Sequence, residues 1–223
     1  LQRYFGIYET LSEKTCDDIW TRANEKIKAG GFTPRELISA SNVTCLCTTD
    51  DPADTLQYHK LIAEDKSFKC KVIPAFRPDK ALGIDLNGWR EWLESLKKTS
   101  GKKIESFAEL VETLGERLEF FVQMGCRASD CAFMRVPFAR ADAAELEIIF
   151  AKACKGEVLD TVEADKFKTE LMHFFASEYS KRGWGMEIPI GPMRNNNTAA
   201  FSKLGPDMGY DSIADYEVAY NLS

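Results

Sequence analysis

Histidine is scarce in this chain, which has only His59 and His173 in 223 residues. Neither belongs to an H-x-H or H-E-x-x-H motif, so the sequence itself offers no histidine-based metal site. Nor does it contain G-x-G-x-x-G, G-x-x-x-x-G-K-[ST] or G-x-S-x-G. These absences argue against a dinucleotide site, a P-loop and a serine-hydrolase elbow. We interpret both histidines as structural, with His59 on a helix surface and His173 on an apolar helix face.

The charge balance and hydropathy exclude further classes of protein. Lys and Arg number 29 against 35 Asp and Glu, a net charge of −6, which argues against nucleic acid as a partner. No uninterrupted apolar run approaches the roughly 18 residues of a membrane span. Hydrophobic residues make up 44% of the chain, enough for the core of one large domain or a piece of a bigger protein.

The seven cysteines are odd in number and cannot all pair within the chain. We interpret Cys45, Cys47 and Cys154 as small buried hydrophobes of a protein in the reducing cytoplasm. The start at Leu1, with neither an initiator Met nor a signal peptide, leads us to expect a chain that begins mid-protein.

Short apolar runs alternate with amphipathic helices, a pattern typical of α/β architecture. The predicted strands are 43–48, 70–74, 126–129 and 184–190. Capping boxes predict helix starts at Thr33, Ser106 and Asp142, and Asp51-Pro52 predicts the start of a helix that runs through about residue 64. Polar clusters follow the strands, as on the active-site face of a (β/α)8 barrel, whereas a dinucleotide-binding sheet would need the missing glycine motif.

Three polar residues near predicted strand ends are candidates for a site. Arg77 could hold a carboxylate with its planar fork, but its spacing favours a surface ion pair with Asp79 or Asp85. Asp130 could accept hydrogen bonds in a cleft, or simply cap a turn. Arg194 precedes three consecutive asparagines, a sequence that is consistent with either a hydrogen-bonding pocket or a solvated turn.

Six segments in order along the chain resemble the uronate isomerase (glucuronate isomerase) family. They are NVTCLCTTDDP at 42–52, YHK at 58–60, RPDKAL at 77–82, GCRASD at 125–130, RNNNT at 194–198, and LGPD with GYDSI within 204–213. The resemblance implies part of a distorted, helix-rich (β/α)8 TIM barrel of the amidohydrolase type. It further implies a helical segment at 1–40 and about four parallel strands at 41–223, roughly strands two to five.

The resemblance also implies an activity, the interconversion of D-glucuronate with D-fructuronate and of D-galacturonate with D-tagaturonate. By position it assigns Asp130 and Arg194 to the catalytic set, and Arg77, Asp130 and Arg194 to substrate binding. It implies a divalent metal such as Zn²⁺ in the complete protein, with no metal expected on this chain alone. The expected partners are a uronate substrate and either a homo-oligomer or the missing barrel half, but no nucleic acid and no membrane.

The chain departs from the family pattern in four places. Family members are about twice as long, and the H-x-H and the last-strand Asp fall outside this sequence. Within it, Cys131 and Pro189 stand where the family usually has histidine. Two alternatives therefore stay open: a non-catalytic relative that binds sugar acids, and an α/β interaction module.

Overall fold

Helices alternate with short strands along the chain, as the sequence predicts. The structure is a computed structural model and describes residues 1–222. The helices are α1 (Gln2–Phe5), α2 (Cys16–Ala29), α3 (Pro34–Ala40), α4 (Gln57–Glu64), α5 (Asp79–Leu82), α6 (Trp89–Ser100), α7 (Phe107–Gln123), α8 (Ala143–Lys155), α9 (Thr161–Arg182), α10 (Thr198–Leu204) and α11 (Ala219–Leu222). The strands are β1 (Cys45–Asp50), β2 (Lys71–Phe76), β3 (Ala128–Asp130), β4 (Gly185–Glu187), β5 (Pro192–Met193) and β6 (Ser212–Ile213).

Four strands form one sheet in the order β1-β2-β3-β4. The strand pairs β2–β3 and β3–β4 are parallel, with Phe76 opposite Ser129 and Asp130 opposite Glu187. The Arg77 amide donates to the Asp50 carbonyl at 2.9 Å, which holds the carboxyl end of β1 beside that of β2. Parallel strands joined by helices confirm the predicted α/β class and are consistent with part of a barrel.

Local sequence sets the starts and ends of the longer helices. The three predicted capping boxes, at Thr33, Ser106 and Asp142, are all present, and Asp160 forms a fourth. In each, the cap side chain and the glutamate three residues later satisfy backbone N–H groups that the helix leaves free. Gly183 ends α9 in the left-handed conformation (φ 63°), which glycine adopts without strain.

The chain divides into two compact units by its contacts: Leu1–Leu46 with Ile62–Val72, and Cys47–Leu61 with the chain from Ile73 onward. The first unit is mainly helical, with Ile7 and Ile19 buried and the Phe5 and Phe32 rings stacked at 4.8 Å. Trp20, on α2, is 73% exposed. The predicted boundary between residues 40 and 41 stays a prediction.

The second unit holds the main hydrophobic core, between the sheet and helices α5 to α9. At its centre, Phe76 of β2 contacts the rings of Phe121, Phe175 and Tyr179 at centroid distances of 5.1–6.3 Å. Tyr179 in turn stacks on Trp184, just before β4. This aromatic cluster fixes the ends of β2 and β4 relative to α7 and α9, because such rings bury large apolar areas in defined geometries.

Several local predictions were wrong. Strand β1 begins and ends two residues later than predicted, and Cys45 and Cys47 lie on its exposed face. The helix predicted from Asp51 begins only at Gln57, because the intervening residues form a loop. Among residues 1–222, no helix has both the length and the apolar character needed to cross a membrane.

Candidate functional site

The carboxyl ends of β2 and β3 bring Arg77 and Asp130 together, although 53 positions separate them in the sequence. Arg77 directly follows Phe76, and Asp130 directly follows Ser129, the residue opposite Phe76 in the sheet. Arg77 Nε lies 3.6 Å from Asp130 Oδ2, and the Asp130 side chain is only 16% exposed. The sequence named both residues, and the parallel register explains why they meet.

Asp79 is a third member of this group, and the sequence had named it only as an ion-pair partner. Its carboxylate lies 3.3 Å from Arg77 Nε and also accepts a 3.3 Å hydrogen bond from the Ala132 amide. The predicted ion pair is therefore present, whereas the alternative partner Asp85 pairs with Lys168. Both aspartates approach Nε, and none of the hydrogen bonds of residues 1–222 involves the terminal nitrogens of Arg77. Those nitrogens can bind a carboxylate with paired hydrogen bonds.

The loop between β1 and α4 adds further polar groups beside Asp79. Asp51 Oδ1 accepts hydrogen bonds of 2.8 Å from the Ala53 amide and from Trp92 Nε1, and Lys80 Nζ lies 3.5 Å from Asp51 Oδ2. These groups line a cavity of about 610 Å³ that also borders Asp79. The candidate site is thus a row of side chains of alternating charge, which extends from Asp130 through Arg77 and Asp79 to this cavity.

The sequence misplaced both histidines. His59 is buried, only 8% exposed, and its Nε2 lies 2.7 Å from Thr48 Oγ1 and 3.6 Å from Asp50 Oδ2. Thr48 donates to Asp50 at 2.6 Å, so His59 Nε2 donates to the threonine hydroxyl. Burial raises the pKa of Asp50 above its ordinary value. His173 is exposed on α9, and neither histidine contacts the Arg77 group.

Arg194 directly follows β5 and does not belong to the four-stranded sheet. Strand β5 pairs with β6 in a separate two-stranded antiparallel sheet. Arg194 Nη1 lies 2.7 Å from Asp211 Oδ2, and the Asn195 amide donates to the other carboxylate oxygen at 2.8 Å. These two contacts lower the pKa of Asp211. None of the hydrogen bonds and ion pairs of residues 1–222 joins Arg194 to Arg77 or Asp130, and the role of all three residues stays a prediction.

The two positions where the resemblance expects histidine lie on neighbouring strand extensions. The Cys131 amide donates to the Glu187 carbonyl, and the Phe133 amide donates to the Pro189 carbonyl. Cys131 is 1% exposed, and burial, together with the negative charges of Asp79 and Asp130, raises the pKa of its thiol to about 12. A thiol with so high a pKa is neutral near pH 7 and is a poor base there.

The side chains of residues 1–222 do not form a metal site. Among residues 1–222, no three side chains of His, Cys, Asp or Glu converge as ligands. Three or four converging protein ligands are the usual minimum for zinc.

The chain is similar to known sugar-acid isomerases over its whole length. The family model described as glucuronate isomerase matches residues 1–223. The uronate isomerase of Clostridium acetobutylicum is 49% identical and that of Caldanaerobacter subterraneus 46% identical, each over all of this chain and 48% of the relative.

Two solved structures have the same fold. The uronate isomerase of Thermotoga maritima matches with a TM-score of 0.90 and 31% identity, over 100% of this chain and 49% of that one. The glucuronate isomerase of Caulobacter crescentus matches with a TM-score of 0.86 and 28% identity, over 99% and 46%. The chain therefore spans about half the length of the relatives it matches.

Proposed function

The chain belongs to the glucuronate isomerase family, and from this premise we propose that the protein carrying it interconverts aldose and ketose uronates. The proposed reactions are D-glucuronate to D-fructuronate and D-galacturonate to D-tagaturonate. Each moves a proton between C1 and C2 of the open-chain sugar acid through an enediol-like intermediate. Such a reaction needs a cationic group for the substrate carboxylate and hydrogen-bonding groups for the sugar oxygens.

The observation that carries the proposal is the Arg77–Asp79–Asp130 group at adjacent strand ends. Arg77 presents a guanidinium that both aspartates approach at Nε, while none of the hydrogen bonds of residues 1–222 involves its terminal nitrogens. We assign it to the substrate carboxylate. Asp130, mostly buried beside it, accepts hydrogen bonds from sugar hydroxyls and holds the reacting end in place. Arg194 contributes a second cation to the same substrate, and the proton-transferring base is not assigned to this chain.

The test is an isomerisation assay of the full-length protein with D-glucuronate and D-galacturonate, with and without added Zn²⁺. We expect turnover that Asp130→Asn reduces strongly and Arg77→Lys reduces through a higher KM. Arg140→Lys is the matched control, because Arg140 is an exposed arginine paired with Glu170 on α9, in a contact outside the Arg77 group. If the wild-type protein gives no turnover under any of these conditions, the proposal is wrong.

A second candidate is a non-catalytic protein that binds uronates. The buried Cys131 favours it, because the position where the resemblance expects a histidine holds a thiol that is a poor base near pH 7. This candidate predicts uronate binding by calorimetry without turnover, whereas an interaction module predicts neither. Restoring both histidines, by Cys131→His with Pro189→His, would then confer activity only on a protein that still binds the substrate.

The remaining assignments follow from the same proposal. A divalent metal belongs to the complete protein, the partners are a small sugar acid and further copies or segments of the same protein, and the expected compartment is the cytoplasm. Metal analysis of the purified full-length protein, its mass in solution and its fractionation in cells test these three assignments separately.

A further inference from the structure

Arg117 of α7 is a buried cation in an unusual setting. It is 8% exposed, and none of the ion pairs of residues 1–222 includes it. Burial lowers the pKa of its guanidinium, while the nearby charge of Asp54 opposes that shift. Burying a charged group is costly unless its hydrogen bonds are satisfied, so such a residue calls for an account of what it holds.

The guanidinium binds the backbone of the loop between β1 and α4. Arg117 Nε donates to the Pro52 carbonyl at 2.8 Å, and Nη2 donates to the Asp54 carbonyl at 2.7 Å. Its carbon Cζ lies 4.3 Å from the centroid of the Phe120 ring, within the range of a favourable cation–π contact. Two nitrogens of one rigid fork thus fix two carbonyls of one short loop, a geometry that a lysine cannot reproduce.

The loop needs such support because its backbone is strained. Leu56, the last residue before α4, has a φ of 52° and is 1% exposed. A leucine adopts this left-handed conformation only where the surrounding structure imposes it. The loop also carries Asp51, which holds Trp92 and lies next to Lys80, and Lys80 follows Asp79 in α5.

We infer that Arg117 is a positioning residue, which fixes the 51–56 loop and through Asp51 holds the Lys80 and Asp79 side of the site beside Arg77. The part that concerns substrate rests on the proposed function. Arg117 has no hydrogen bond or ion pair with Arg77 or Asp130, and it acts through a series of contacts. Its guanidinium binds two loop carbonyls, and Asp51 of the same loop pairs with Lys80. The residue before Lys80 in the chain, Asp79, pairs with Arg77.

The test compares Arg117→Lys with the control Lys60→Met. Lys60 is a second cation over the same Phe120 ring, at 5.3 Å, and its described side-chain contact is with that ring. We expect the amides of Ala53, Asp54 and Leu56 to exchange about tenfold faster in Arg117→Lys, with the amides of central α7 unchanged. In the full-length protein the KM for uronate should rise about tenfold with kcat changed less than about threefold. Lys60→Met should change neither quantity.

The possible outcomes separate the inference from the proposed function. Unchanged exchange in the loop, or faster exchange with an unchanged KM, would overturn the inference. If Arg117→Lys fails to fold, Phe120→Leu keeps the arginine but removes the ring beneath it, and the same selective loosening of the loop is required of it. A wild-type protein without turnover would refute the proposed function, and the exchange measurement would then decide alone whether Arg117 fixes the loop.

Discussion

Two arginines predicted to bind substrate have different surroundings. Arg77 lies at the end of a buried strand between two aspartates, with its side chain 39% exposed. Arg194 is 57% exposed and is paired with Asp211 beside a two-stranded sheet. An exposed ion pair of this kind stabilises a fold by only about 0–1 kcal/mol. A substrate carboxylate that takes the place of Asp211 at Arg194 therefore costs the fold little.

The first prediction is that Arg194→Lys in the full-length protein weakens uronate binding by about 1.5–3 kcal/mol, or one to two decades in Kd. The reason is that lysine cannot form the paired, planar hydrogen bonds of a guanidinium with a carboxylate. Calorimetric titration with D-glucuronate measures the effect. Arg140→Lys is the control for a general loss of one exposed guanidinium. Equal affinities for wild type and Arg194→Lys would remove Arg194 from the site.

The second prediction concerns acid sensitivity. The Ser67 hydroxyl and the Arg35 guanidinium lower the pKa of Asp65 from 3.8 to about 2. Because this pKa is lower in the folded chain, the unfolded chain binds more protons between the two values. The stabilisation is thus present above pH 3.8 and is lost as the pH falls through about 2.

We therefore expect Asp65→Asn to lower the urea midpoint at pH 7, and the difference from wild type to narrow steadily as the pH is lowered toward about 2. Glu13→Gln, at an exposed carboxylate of the same unit, is the control and should give a smaller difference. A difference between wild type and Asp65→Asn that stays constant over this pH range would contradict the assignment.

His59 illustrates what a single residue does not reveal in sequence. Its neighbours Tyr58 and Lys60 are exposed, so the local pattern suggests a surface position. Its burial depends on Thr48 and Asp50, which lie on a strand nine or more positions away and satisfy its ring nitrogen. Such a pairing follows from the packing of α4 on β1, and no local periodicity encodes it.

At the scale of helices and strands, the capping boxes were the easiest features to predict. The cap residue and the glutamate are only three positions apart in sequence, so their contacts are local and do not depend on the rest of the fold. The third prediction is that Ser106→Ala destabilises the chain by about 0.5–2 kcal/mol, since the Ser106 hydroxyl accepts the Glu109 amide at the start of α7. Urea unfolding measures the loss. Ser95→Ala, which removes an exposed hydroxyl bonded within α6, should change stability by less.

The strand boundaries were harder to predict for a physical reason. Strand β1 alternates exposed and half-buried residues, but Cys45 and Cys47 lie on the exposed face and Thr48 and Asp50 on the half-buried face, so polarity does not distinguish the two faces in the sequence. The helix expected after it is delayed by the strained loop that ends at Leu56. The signal at Asp51-Pro52 was real but predicted the wrong structure: Asp51 binds the Ala53 amide in a turn and does not cap a helix.

For the molecule as a whole, β1 and β4 are the outer strands of the sheet in the described chain. Outer strands present unpaired backbone groups that another chain can bind. The fourth prediction is that the isolated 223-residue chain self-associates at micromolar concentration, as light scattering would detect. Thr49→Lys, on the exposed face of β1, should reduce the association, whereas Thr55→Lys, exposed in the following loop, should not. A monomer at all concentrations would contradict it.

The fold class of the molecule could be predicted from the sequence. The contacts between the site residues could not be predicted from the sequence pattern alone. Alternating strands and helices indicated parallel α/β structure, and the order of the family-like segments indicated the barrel type. That Arg77 meets Asp130 depends on the register between β2 and β3, and that Arg194 pairs with Asp211 depends on a second small sheet. Both are contacts between distant residues, which only the folded chain specifies.

The four tryptophans differ in exposure, so their intrinsic fluorescence can report on the two units of the chain. Trp20, in the first unit, is 73% exposed, whereas Trp89, Trp92 and Trp184, in the second, are each at most 8% exposed. A water-soluble quencher such as iodide reaches the indole of Trp20 and leaves the other three emitting. The quenchable and the protected fluorescence therefore follow the two units separately, without any attached dye.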